Sequence, residues 1–389
     1  MASRSAVPEG GAAIPDLSVE AKTVPGEIGA EIKHRLPALR ALTSLRFFAA
    51  MHVVVYHLSA DHIYTEAPLL GRFVLSGYTG VSLFFVLSGF ILAYNYREVK
   101  DRREFWISRF ARIYPVYAIA LLLGVAYAFA PASPHPDHFF VRLGLTLTLM
   151  HTWYPPFADS FNGPGWTLSV EAFFYALFPF LTIWLKRFGD GVLTAFCVFY
   201  VATLSVPVLM HFVSPASSSA YATAYSLTWG TVPLLHLPMF LIGVYLGIRY
   251  LKKSEHRSVW PLWAGAVGSL SLLCLESAAL YAPLRKGLLV MTYAALIYGL
   301  ASVKRGWLTN RWMVLAGEIS FSIYILQMPL IRTILGVTRR LGWGFYPSSS
   351  LVVVLLVGIS WVAYRFVELP ARVAIRRRLT HRPVCMEKI

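Results

Sequence analysis

GYTGVSLFFVLSGFILAYNY, residues 77–96, runs for twenty residues without one charged side chain. That is the length an α-helix needs to cross a hydrocarbon core of roughly 30 Å at about 1.5 Å per residue. Gly77, Gly80, Ser88 and Gly89 interrupt its bulk with small side chains, which let helix backbones approach closely. An open groove for a ligand is the alternative use of such a face. Working outward, comparable apolar stretches recur at 39–58, 110–130, 168–185, 192–213, 231–250, 259–282, 286–303, 314–336 and 349–369. With 77–95 they give ten expected spans, so the fold class is an all-α, polytopic transmembrane helical bundle. A further stretch, 139–153, is apolar but short, and Arg142 interrupts it. It reads as re-entrant or interfacial.

Composition points the same way. The 389 residues are 57% hydrophobic and 14% charged, where a soluble domain would be about 45–50% apolar and about 25% charged. The 25 Phe, 21 Tyr and 11 Trp suit neither a disordered chain nor a coiled coil. Cys197, Cys274 and Cys385 lie far apart, with no disulfide framework or metal-ligand spacing, and no metal is expected. A net charge of +16 would suggest nucleic acid in a soluble protein. Here the basic residues cluster between apolar runs, where they orient a membrane protein, so the expected surroundings are membrane lipids and not nucleic acid. With the N-terminus inside, twenty-seven of the 35 Lys and Arg fall on the cytoplasmic side, seven fall outside, and Arg46 lies within the first span. The bias supports ten crossings of the cell membrane with both termini cytoplasmic. Residues 1–35, rich in Ala, Pro, Gly and Glu, read as a disordered cytoplasmic tail without the order of a signal peptide. A transmembrane domain is expected over 36–372 and a basic cytoplasmic tail over 373–389. No internal repeat suggests a transporter built from two halves.

Ionisable groups inside spans are costly and mark function by default. In LRFFAAMHVVVYHLSA (45–60), Arg46 and His57 are eleven residues apart. At about 100° per residue this is three turns plus roughly 20°, so both lie on one helical face, roughly 16 Å apart. Otherwise Arg46 snorkels inward and His57 rests at the headgroups. His52 falls on another face and reads as a packing or interfacial residue. In GPGWTLSVEAFFYALFP (163–179), Gly163, Pro164 and Gly165 break the chain before a helix that carries Glu171 near its start. Glu171 either complements the helix dipole or, walled by Trp166, Ser169 and aromatic neighbours, serves as a base. The cluster Arg97, Lys100, Arg102, Arg103, Arg109 and Arg112 is either a topology anchor or a clamp for a phosphorylated ligand, since guanidinium groups make forked contacts to phosphate.

Taken in order, these strings resemble the acyltransferase-3 family of integral-membrane acyltransferases. The match comprises Arg46 and His57, GVSLFFVLSGFIL (80–92), RFARIYPVY (109–117), GPGWTLSVEAFFY (163–175), EISFSIYILQMPLI (318–331) and VELP (367–370). It covers about residues 36–372. The resemblance implies O-acyl transfer, of acetyl or a similar short acyl group, from a cytoplasmic acyl-CoA (acetyl-CoA foremost) to a hydroxyl of a cell-envelope sugar, polysaccharide or other glycosylated acceptor. Carried over, Arg46 and His57 match the family's essential pair, and Glu171 with Trp166 its tryptophan–glutamate motif. Arg109 and Arg112 match its arginine motif, with Arg103 beside them on the CoA side. Trp166, Ser169, Tyr324 and Gln327 then fall on the substrate side. Gln327 stands where many members carry a His, and it cannot take up a proton at neutral pH. In the mechanism this implies, His57 is a general base or transient acyl carrier oriented by Glu171. The rival reading is a transporter or flippase for an envelope glycan or lipid precursor, supported by ten spans and intramembrane charge.

Overall fold

The computed structural model describes residues 36–96, 99–129, 136–188, 230–252, 260–274 and 282–380, with a few isolated positions between 191 and 198. Its principal helices are α1 (Arg40–Glu66), α2 (Pro68–Leu75), α3 (Gly80–Asn95), α4 (Arg102–Ala128), α5 (Phe139–Leu147) and α6 (Trp166–Phe188). After these come α7 (Pro233–Lys252), α8 (Trp260–Cys274), α9 (Ala282–Leu300), α10 (Arg311–Arg340), α11 (Phe345–Ala363) and α12 (Leu369–Leu379). No strand occurs among the described residues. The protein is an all-α, multi-pass membrane bundle.

Seven helical segments among the described residues are long and apolar enough to cross a bilayer: Arg40–Leu58, Leu69–Asn95, Arg102–Ala128, Gly163–Trp184, Pro233–Lys252, Arg311–Arg340 and Phe345–Leu379. They coincide with seven of the ten expected spans. The stretches 259–282 and 286–303 hold the shorter apolar helices Trp260–Cys274 and Gly287–Leu300, and the expected span 192–213 lies outside the described residues, as does the tail 1–35. The third span starts a full two turns before 110, because Asp101 caps it by accepting from the Glu104 amide at 3.0 Å. At the other end α12 runs on to Leu379, so the first part of the expected tail 373–389 is helical.

Small residues bring the bundle together. A Cβ placed on Gly89 of α3 would strike the Phe240 carbonyl of α7, and one on Gly243 would strike Val86. The small face read in 77–96 is thus used for backbone-to-backbone packing. Gly317 likewise seats α10 against the Thr43 carbonyl of α1.

Prolines inside these helices each free the carbonyl four residues earlier. For Pro179 that carbonyl belongs to Tyr175, and the Trp106 indole of α4 donates to it at 3.0 Å. For Pro329 it belongs to Ile325, and Asn162 Nδ2 donates to it at 3.0 Å. Side chains from elsewhere therefore supply what water cannot supply in a bilayer.

The segment after α4 does not cross. α5 has nine residues, less than half a span, and the chain then folds back through short 3₁₀ turns at His151–Trp153 and Pro155–Phe157. Arg142, read as an interruption, is the staple of this loop. Its guanidinium donates to the Asp137 carbonyl (2.7 Å), the Pro156 carbonyl (3.2 Å) and Ser160 Oγ (3.1 Å), with its charge 4.1 Å above the Phe157 ring. Tyr117 of α4 donates to the Thr146 carbonyl at 2.8 Å. The only non-glycine residues with positive φ among the described residues, His138, Leu149 and Phe161, all lie here, so contacts of this kind hold the loop in a shape its backbone does not prefer.

His151, in the first of those 3₁₀ turns, is fully buried. Burial pushes its ring down to about 4, a backbone contact at Leu145 opposing only weakly. A depressed folded-state value means that the ring's contribution is intact above an unfolded value of about 6.5 and is lost as pH falls towards the folded value. Unfolding midpoints of the detergent-solubilised protein should therefore fall more steeply between pH 6.5 and 4.5 in the wild type than in His151→Gln. Parallel slopes would show that this imidazole is not held neutral.

Candidate active site

Two cavities lie end to end along α1. The first, about 190 Å³, is lined by Arg46 of α1, Arg109 and Arg112 of α4, Glu171 and Tyr175 of α6, and Glu318 and Tyr324 of α10, with apolar walls from Phe84, Phe85 and Ile91. The second, about 170 Å³, is lined by Tyr56 and His57, Tyr78, Asp159, Trp166, His236 and Tyr324. Val81 and Tyr324 line both. The eleven-residue interval between Arg46 and His57 thus places one residue in each cavity.

In the first cavity three guanidinium groups meet two carboxylates. Glu171 accepts hydrogen bonds from Tyr175, one turn on, and from Ser88 of α3 at 3.4 Å. Arg109 donates to the Tyr96 hydroxyl at 3.1 Å, and Tyr96, Phe105 and Tyr175 surround it with ring centroids 5.5, 5.7 and 6.0 Å away. Aromatic faces hold a guanidinium in place without neutralising it. Arg112 feels the carboxylates of Glu318, Glu368 and Glu171.

In the second cavity His57 is exposed to the hollow and its Nδ1 lies 3.2 Å from Gln327 Oε1. Asp159 stands exposed at the same cavity, and its charge and that of Arg332 both act on His57. His236 packs between Phe85 (5.1 Å) and Trp166 (5.2 Å), and its Nε2, facing the Gly230 carbonyl at 2.8 Å, must be the donor there.

The arrangement departs from expectation at several residues. Glu171 lies among the arginines, and the carboxylate facing His57 is Asp159. Ser169 does not face either cavity; its hydroxyl is engaged by Thr152 (2.6 Å) and the Leu149 carbonyl, pinning α6 to the loop. Arg103 is exposed on the first turn of α4 and is not among the residues lining either cavity. His52, as expected, packs: its ring stacks on Phe73 at 4.4 Å and its Nε2 meets the Phe73 carbonyl at 2.8 Å. Glu318, Asp159 and His236 were not singled out from the sequence. Glu318 and His236 carried the signal, an ionisable side chain within an expected span; Asp159, in a loop, carried none. Among the described residues no cluster of His, Cys, Asp or Glu is placed to hold a metal ion.

A family model described as an acyltransferase domain matches residues 39–365. The chain belongs to the acyltransferase-3 family. Among curated relatives of this acyltransferase, "Acyltransferase MdmB" of Streptomyces mycarofaciens is 28% identical over 77% of this chain and 80% of its own length. "O-acetyltransferase OatA" of Staphylococcus aureus is 25% identical over 86% of this chain, which spans 57% of that protein. "Nodulation protein 10" of Rhizobium leguminosarum bv. viciae is 27% identical over 84% of this chain and 91% of its own. No solved structure matches.

Next to the first cavity, whose Arg112 feels Glu368, a π-helical turn runs over Tyr364–Glu368, and the VELP string straddles its end and the start of α12. It turns Glu368 fully inward, where the carboxylate accepts from Ser322 at 3.2 Å and pairs with Arg372. Arg372→Met should deprive that carboxylate of its paired cation and destabilise the acyltransferase by about 3 kcal/mol or more. The double variant Arg372→Met/Glu368→Gln should recover most of the loss. Chemical unfolding in detergent checks both, and equal losses in the two variants would refute the pairing.

Proposed function

We propose that the protein transfers an acyl group, acetyl or similarly short, from cytoplasmic acyl-CoA to a hydroxyl of a cell-envelope sugar, polysaccharide or other glycosylated acceptor. The observation that carries this reading is the pair of cavities with a shared Tyr324 wall, one guanidinium-lined and one imidazole-lined. Its setting is the cell membrane, with both termini cytoplasmic as the distribution of Lys and Arg favours. The relatives named an acyltransferase and an O-acetyltransferase support the reaction class.

Donor binding falls to Arg109 and Arg112, whose donors suit phosphate oxygens, while Arg103 meets the anion in solution before it docks. The first cavity, with its apolar walls and lining arginines, suits the pantetheine arm with its thioester. Glu171 and Glu318 balance the arginines and leave Arg46 to position the pantetheine arm; at roughly 16 Å from His57 along α1, it does not touch the carbonyl at which that base acts. At the second cavity His57 accepts the proton of the acceptor hydroxyl. The oxygen bonds to the acyl carbon, the carbon–sulfur bond breaks, and the departing thiolate takes the proton from His57. Trp166, Tyr56 and Tyr78 offer aromatic faces against which a sugar ring can lie, and Asp159 an acceptor for its hydroxyls.

Transfer from a CoA thioester by purified protein, with no membrane gradient, tests the class. His57→Gln should abolish transfer in well-inserted protein. Arg109→Ala and Arg112→Ala should raise KM for acyl-CoA more than they lower kcat, since they provide uniform binding. Unchanged CoA affinity in both would reduce the arginines to topology anchors, and no CoA-dependent transfer at all would favour a flippase.

A further inference from the structure

Two hydrogen bonds behind His57 decide which of its ring nitrogens carries a proton. Gln327 is fully buried, with Nε2 donating to the Tyr324 carbonyl at 2.9 Å and Oε1 3.2 Å from His57 Nδ1. A backbone carbonyl only accepts, so the end of the amide that faces Tyr324 is the NH₂ group. The end that faces His57 is therefore the oxygen, which also only accepts. The hydrogen in that contact belongs to His57. In the neutral ring Nδ1 then bears the proton, and Nε2 keeps its lone pair on the edge turned to the cavity. No described protein group is bonded to Nε2.

We propose that Gln327 is a positioning residue that fixes His57 as its Nδ1–H tautomer, keeping Nε2 as the proton acceptor for the incoming hydroxyl. This rests on the reading of His57 as general base, and it replaces the expectation that Gln327 touches substrate: the amide is buried and engaged at both ends. Free histidine in water favours the opposite tautomer, so the selection must come from the protein. The other contact that steadies the ring is a tilted one with Tyr56 at 5.0 Å, which does not distinguish the two nitrogens. The location of Gln327 is itself braced. Pro329, two residues on, frees the Ile325 carbonyl that Asn162 takes, tying this turn of α10 to the loop that carries Asp159.

The partner is an amide and not a carboxylate, which has a chemical consequence. An amide orients the ring but adds no full negative charge to hold the imidazolium. The charged groups acting on His57 are Asp159 and Arg332, of opposite sign, and His236 of α7 lines the same hollow. The proton taken from the acceptor is therefore readily passed on to the departing thiolate.

The test is nitrogen-15 spectroscopy of the full-length protein in nanodiscs, labelled at histidine, with the His57 signals assigned by their loss in His57→Gln. At alkaline pH the wild type should show a protonated Nδ1 and a bare Nε2. Gln327→Met, close in volume, should shift the ring to the other tautomer or a mixture. It should lower kcat about tenfold or more, a part of the ~10²–10⁴ a positioned base contributes, with KM for acyl-CoA unchanged. In Gln327→Glu a carboxyl oxygen still accepts from Nδ1 in either charge state, so the wild-type tautomer should return. A wild type protonated on Nε2, or a Gln327→Met protein that loses the tautomer and keeps its kcat, overturns the role of Gln327 alone. A fully active His57→Gln protein overturns the base reading and the role of Gln327 with it.

Discussion

Inside a bilayer no water is at hand to satisfy a backbone carbonyl, and each one left bare costs several kcal/mol. The site is built where the chain breaks that rule and repairs it. Pro179 and Pro329 free the carbonyls of Tyr175 and Ile325, and Trp106 and Asn162 reach across to take them. Tyr175 is the partner of Glu171, and Ile325 lies between Tyr324 and Gln327. The repairs thus clamp α4 to α6 and the 137–162 loop to α10 at the levels where the two cavities lie.

Charge obeys the same logic. Three arginines within the bundle would be prohibitive alone; here Glu171 and Glu318 share their cavity and the Glu368–Arg372 pair lies beneath. A π-helical turn widens the helix by one residue and re-aims a side chain, and over Tyr364–Glu368 it swings Glu368 into the interior. Such a network is costly to disturb on one side only, because the remaining partner is stranded. An anionic donor entering among these groups would meet cations already oriented and partly neutralised by neighbours.

The span positions were legible in the sequence because hydrocarbon thickness imposes a length and forbids charge, and both constraints are local. Nine of the ten expected stretches correspond to apolar helices of the bundle, while 192–213 lies outside the described residues. Arg46, His57 and Glu171 also stood out as ionisable groups in apolar surroundings, Arg109 and Arg112 as part of a basic cluster, and all five line the cavities. Their pairing was not legible. Helical spacing orders residues on one helix, but which carboxylate faces which base depends on packing between helices distant in sequence. That is why Glu171 falls to the arginines and Asp159 to His57. The second use of Arg142 was hidden for the same reason: a cation in a short apolar run marks a segment that does not cross, but its role as a staple depends on carbonyls up to fourteen residues away. Ser169 looked like a site residue by proximity in sequence, yet its hydroxyl faces the loop.

Tyr324, the wall shared by both hollows, has an electrical consequence as well. Arg46 and His57 are roughly 16 Å apart along α1, about half the hydrocarbon thickness. Two hollows placed end to end over that interval would form a continuous file of water if nothing stood between them, and such a file conducts protons. Every proton that leaked would dissipate about 2.3 kcal/mol per 100 mV of membrane potential. A buried phenol beside Val81 interrupts the file with a side chain in place of a solvent gap. The side chain that lines both hollows thus doubles as insulation between them.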